Sequence, residues 1–330
     1  MKTSFAKVAG GLALLAVSSM AMASVVNTKH NLGSTNSASS NHTTNTTEIC
    51  IFCHTPHGGD QTTFAPIWNR AYSTASYTRF SSLGRLTFDA AEAPIAGGVS
   101  SACLSCHDGT QSIDSVINSS GSDTIGMEDT QAGNGGFSQG RAMGNGSFAA
   151  ANGSWDGSLL PRGDMVYIGT DLSNDHPISM QYGGGGITTV ATNGPTIDPD
   201  FAQANGITGA SGLIGATGST GLAAGSNAAT NNTTGGVNGS GTGAVQYVAG
   251  ANPRWYVDTG TAAYQSTDFP LYTRTFTLNE INGNNTGGAG STGPAVECGT
   301  CHDPHSGNAT FLRLSGGNSG SQVCLTCHAK

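Results

Sequence analysis

Charge is scarce in this chain. Of its 330 residues 10% are charged and 7% aromatic, and 12 Lys and Arg stand against 20 Asp and Glu, for a net charge of −8. The basic residues are scattered. A nucleic-acid groove or an anionic lipid surface needs them clustered, so neither is expected as a partner. Long apolar runs are also missing. The best one, "GGLALLAV" (Gly10 to Val17), is too short to span a bilayer, so no transmembrane segment is expected. It lies between Lys2 and Lys7 on one side and the small residues Ala21 to Ala23 on the other. Residues 1–23 therefore read as a secretory signal peptide. The chain is expected to pass through the periplasm and end up secreted, extracellular or on the outer cell surface. Apolar material is thin as well: with 50 glycines and 36% hydrophobic residues, side chains alone make a poor core. Such a chain is either disordered or wrapped around something that is not side chain.

Eight cysteines are present, and they fall in four pairs of one spacing. The pairs are "CIFCH" (Cys50, Cys53, His54), "CLSCH" (Cys103, Cys106, His107), "CGTCH" (Cys298, Cys301, His302) and "CLTCH" (Cys324, Cys327, His328). An exported, cysteine-rich chain would ordinarily suggest disulfides. A single such pair could equally serve zinc or thiol redox chemistry. The histidine after every pair points instead to c-type haem. Two thiols one short turn apart add to the vinyl groups on one edge of a porphyrin. The next residue then lies under the ring, where its neutral imidazole reaches the iron. Four covalent haem c groups are expected, and their flat apolar faces supply the missing core.

Nine histidines occur, and four are proximal. His30, His42, His57, His176 and His305 remain for four distal positions, which favours iron held by two histidines throughout. Methionine, available at Met127, Met143, Met165 and Met180, would raise the potential but is not required. His57, in "CHTPH", cannot easily cap the haem to which its own chain is tethered. Pro56 turns the chain outward, so His57 should reach a different, closely placed haem, or else stand in a surface turn.

The pattern repeats. His30, "CIFCHTPHGG" and "CLSCH" in the first half match His176, "CGTCHDPHSG" and "CLTCH" in the second. The economical wiring within each module pairs His30 with the haem of His54, and His57 with that of His107. It likewise pairs His176 with the haem of His302, and His305 with that of His328. His42 is then surplus and expected at the surface, unless it replaces one of these.

The expected organisation follows. After the signal peptide, residues 24–115 form a two-haem module. Residues 116–290 form a Gly/Asn/Ser/Thr-rich insertion, flexible near 206–244, and residues 291–330 form a second two-haem module. "MVYIGTDL" (Met165 to Leu172), "RWYVDTG" (Arg254 to Gly260) and "LYTRTFTL" (Leu271 to Leu278) have strand-forming content. They read either as haem-facing strands or as surface hairpins. Helix is expected only as short turns around each C-x-x-C-H. The fold class is a mostly irregular multihaem cytochrome with short helices, a few short β-strands and a haem stack as core.

With these motifs, the chain resembles the extracellular tetrahaem c-type cytochromes of the filament-forming, OmcE-type nanowire family. The likeness lies in the four C-x-x-C-H segments, the signal peptide, "DHPIS" (Asp175 to Ser179) and the low-charge, irregular character. It does not extend to Gly206–Ala244. It implies stacked bis-histidine haems, mostly coil, head-to-tail self-association and a distal histidine supplied by a neighbouring subunit. The expected function is extracellular electron transfer to protein or mineral acceptors, with no catalysis of its own. A discrete tetrahaem carrier and a multihaem reductase are the competing readings.

Overall fold

The computed structural model describes most of residues 25–118, residues 167–185, parts of 198–202, most of 254–276 and residues 292–328, with the short stretches 141–142, 149–150, 213–214 and 245–248. The signal peptide over 1–23 and nearly all of the segment 206–244 lie outside the described residues.

Among the described residues eight strands and three α-helices are seen. The strands are β1 (Arg141–Ala142), β2 (Ala149–Ala150), β3 (Met180–Gln181), β4 (Leu213–Ile214), β5 (Val245–Val248), β6 (Arg254–Val257), β7 (Phe269–Thr275) and β8 (Thr292–Val296). The helices are α1 (Val99–His107), α2 (Cys298–Cys301) and α3 (Gln322–Cys327). β1 and β2 pair alone; the other six form one antiparallel sheet in the order β3-β8-β7-β6-β5-β4.

Strand β7 shows why this sheet can serve two surroundings. Successive side chains on a strand point to opposite faces. Phe269 and Leu271 lie on one face, opposite Val257 and Trp255 of β6. These four join Tyr182, Ala202, Val245 and Leu314 in the largest buried apolar cluster, with Cys301 and Cys327 packed against it. Arg274 and Phe276 belong to the other face, where Phe276 meets Ala91, Ala93 and Ala295. "RWYV" and "LYTRT" are therefore interior strands and not surface hairpins. "MVYIGTDL" behaves differently. Its described part, 167–172, enters no strand and makes a single bridge from Asp171 to Thr78, although Leu172 is buried with Ile95 and Leu104.

Helix α1 starts after Gly98, where a side chain would have no room. A Cβ there would stand 1.8 Å from Arg274 Nη1. The helix ends at Asp108, followed by Gly109 with φ 75°, a left-handed residue that terminates helices without a Cβ clash. Ala102, Leu104 and Ser105 are buried, while Cys103, Cys106 and His107 are half-buried. Among the described residues no helix is long and apolar enough to cross a membrane.

Candidate haem attachment site

All eight thiols are free, each on or beside a short helical turn. Cys50 opens a 3-10 turn, Cys50–Phe52, and the His54 amide closes it on the Cys50 carbonyl at 2.7 Å. The same closure recurs from His302 to Cys298 at 3.1 Å and from His328 to Cys324 at 2.8 Å. This turn puts both cysteines of a pair on one side and leads directly into the histidine.

The first and third motifs agree further, bond for bond. Thr55 N donates to Ile67 O and Asn69 N to Cys53 O; Asp303 N donates to Phe311 O and Arg313 N to Cys301 O. Asn69 Nδ2 donates to Ile51 O, and Arg313 Nε to Gly299 O, in each case the residue after the first cysteine. His54 Nδ1 lies 2.9 Å from Pro66 O, and His302 Nδ1 lies 2.8 Å from Thr310 O. A carbonyl beside Nδ1 selects the tautomer that keeps its proton there. Nε2 is then left as the bare lone pair, which is how metal-binding histidines are usually held. The repeat read in the sequence is thus a repeat of local hydrogen bonding.

The four motifs adjoin one another in chain order. Burial pushes the Cys53 thiol up to about 12, with a further contribution from nearby Cys106. The Cys103 thiol donates to Cys298, which raises Cys103 and lowers Cys298. Burial and then Cys301 raise Cys327. The first motif therefore lies near the second, the second near the third, and the third near the fourth.

Two buried polar groups hold these junctions, and the sequence singled out neither. Arg70 is fully buried between the first and second motifs. It donates from Nε to Ser105 Oγ at 3.2 Å, from Nη1 to Ile113 O at 2.5 Å and from Nη2 to Ser105 O at 2.9 Å. Glu297, also buried, joins the second and third. It caps α2 in a reciprocal box with Thr300, and it accepts from Ser100 of α1, from Ser179 and from Arg274. Ser100 Oγ in turn accepts from Cys298 N at 2.9 Å. A Glu before a C-x-x-C, with Thr three residues on, is a helix-start signal that could have flagged this position.

The distal candidates divide. His30 stacks on Phe311, with ring centroids 4.1 Å apart, and lies 6.3 Å from the His107 ring at 64°. Its ring donates to the Pro304 carbonyl, while burial and then His107 lower it to about 4. It is neutral at pH 7, as a ligand must be. The His305 ring lies 6.1 Å from that of His54 at 13°. Repetition within each half placed His30 with His54 and His305 with His328. The structure instead sets His30 beside His107, within the first half, and His305 beside His54, across the two halves. The His328 ring packs on Phe201, 4.5 Å away. His57 and His176 are exposed. His57 is held through its carbonyl, which accepts from Thr55 and Asn118. His176 Nδ1 lies 3.0 Å from Pro177 O. Neither of these two rings contacts a proximal histidine among the described residues. His42 is partly buried.

These residues fit haem on one further observation. The buried indole N–H of Trp68, whose ring lies 6.0 Å from that of His54, has no hydrogen-bond partner among the described residues. Buried donors rarely stay unpaired, and a haem propionate is an acceptor of the kind this one lacks.

A family description for a doubled CXXCH motif matches residues 293–330, the segment carrying the third and fourth pairs. No curated protein matches the chain. The match indicates covalently bound haem c and supports a haem-binding, electron-transfer protein.

Proposed function

We propose that the chain binds four haem c groups, each iron held by two histidines, and conducts electrons along them as the subunit of an extracellular filament. The observation that carries this reading is the consecutive adjacency of the attachment motifs, through Cys53 and Cys106, Cys103 and Cys298, and Cys301 and Cys327. Cofactors anchored at neighbouring thiols form a connected series, which conduction requires and storage of isolated haems does not.

When bound, haem c supplies a one-electron couple. The protein's residues do the rest. Cys50, Cys53, Cys103, Cys106, Cys298, Cys301, Cys324 and Cys327 fix position. His54, His107, His302 and His328 are the proximal ligands, and His30, His57, His176 and His305 the distal ones. Backbone carbonyls at Pro66 and Thr310 aim two proximal rings. The apolar cluster around Trp255 and Phe269 excludes water from Cys301 and Cys327. Four irons saturated by histidine leave no open position for a substrate, so the reading is a carrier and not an enzyme.

Low surface charge suits self-association, and head-to-tail contacts that do not close give fibres. Donor and acceptor are then redox proteins or minerals outside the cell. The test is electron microscopy of secreted material whose chain and haem content are fixed by mass spectrometry. Filaments with a regular repeat and four haems per chain sustain the proposal. Dispersed particles overturn the filament, and a count other than four overturns the haem assignment.

A further inference from the structure

Resting on the bis-histidine reading, we infer that axial ligation crosses between the two halves of the chain at one haem: His305 is the partner of His54, while His30, within the first half, is the partner of His107. Two imidazoles bound in line to one metal, each at about 2 Å, hold their ring centroids roughly 6 Å apart. The His54–His305 and His30–His107 centroid separations are 6.1 and 6.3 Å.

The other ring nitrogens agree. His54 Nδ1 faces the Pro66 carbonyl at 2.9 Å, and His305 Nδ1 faces Asp303 Oδ1 at 3.4 Å. Both are thereby occupied away from a metal, and Nε2 is left on each ring. The His30 ring is anchored on the carbonyl of Pro304, the residue before His305. The two distal rings therefore sit side by side on one short turn. Their proximal partners start from thiols that also neighbour each other, Cys53 and Cys106. Adjacent anchors at one end and adjacent rings at the other describe two neighbouring haems.

The proline in each x-P-H turn acquires a use here. It frees its histidine from the haem just upstream, and its carbonyl, at Pro304, orients the second distal ring. The crossing also makes the haem of His54 a clamp between the two halves. His305 lies in the C-terminal half and His54 in the N-terminal half, so removing one ligand loosens a junction between halves and not a link within one. The exposed His57 and His176 remain for the irons of His302 and His328.

The test uses the full-length holoprotein and reads iron spin state by electron paramagnetic resonance, with haem content by mass. Wild-type protein with its irons low-spin, at the g values of two imidazole ligands and not those of histidine and methionine, establishes bis-histidine ligation. High-spin irons throughout would overturn that reading and this one together. His305→Ala is then made in two backgrounds. One lacks the fourth haem through Cys324→Ser and Cys327→Ser; the other lacks the first through Cys50→Ser and Cys53→Ser. Crossed ligation predicts one new high-spin iron in the first background and none in the second. The reverse pattern, with low-spin wild type, assigns His305 to His328 and overturns the crossing while leaving bis-histidine ligation intact. Should a background lose further haems, crystallographic or cryo-electron density of the wild-type holoprotein decides. An iron between His54 and His305 sustains the inference, and one between His305 and His328 overturns it.

Discussion

Ser100, near the start of the helix that carries the second haem motif, donates to the buried carboxylate of Glu297, the residue before the third motif. The same hydroxyl accepts the Cys298 amide at 2.9 Å. The two segments that place Cys103 against Cys298 are thus joined at their helix starts by one serine and one glutamate. Arg274, from strand β7, pairs with the other oxygen of Glu297 and donates to the carbonyls of Pro94 and Ala96.

Arg274→Met should therefore be severe. It leaves Glu297 buried without its cation, and removal of one partner of a buried pair costs roughly 3–5 kcal/mol. The expected result is a large drop in the holoprotein's melting temperature, followed by circular dichroism. A shift within about 0.5 kcal/mol, the range of ordinary surface substitutions, would mean that the pair does not hold the junction.

Gly98→Ala should destabilise the same junction from the other side. The added methyl would meet Arg274 Nη1 at 1.8 Å and Glu297 Oε1 at 2.7 Å. Overpacking of this kind costs about 1–3 kcal/mol. Haem content by mass should stay unchanged while thermal stability falls; unchanged stability would show that the guanidinium moves aside freely.

Arg70→Met removes three hydrogen bonds that tie the first motif's segment to Ser105 and Ile113. Two carbonyls are left buried, at about 1–3 kcal/mol each. Limited proteolysis should then cut residues 50–70 faster than in wild type. Equal protection would place the hold on that segment elsewhere.

Trp68→Phe separates ring from N–H. The ring's packing is largely kept, and the indole N–H has no partner to lose among the described residues. If it serves a bound haem, the holoprotein loses about 1 kcal/mol, the worth of one hydrogen bond. A melting temperature equal to wild type would show that no acceptor is present in the loaded protein.

The four attachment motifs were legible in the sequence because their chemistry is local. Two thiols and an imidazole must sit on one turn, and C-x-x-C-H states that in five letters. The x-P-H repeat was legible for the same reason, and it recurs as matched hydrogen bonds around His54 and His302. The sheet was only half legible. "RWYV" and "LYTRT" carry strand content, yet their place in the interior depends on β5 and β8, whose residues announce little.

The sequence by itself determined that this chain attaches haem c, how many attachment motifs it has, and which histidine follows each pair. Those are constraints between residues a few positions apart. Tertiary structure alone decided which distant ring stands beside each proximal histidine, and that Arg70, Arg274 and Glu297 hold the motifs together. Repetition suggested that each half is wired to itself. The contact between α1 and α2 brings the halves together, and a ring then meets the neighbour nearest in space, whatever its distance along the chain.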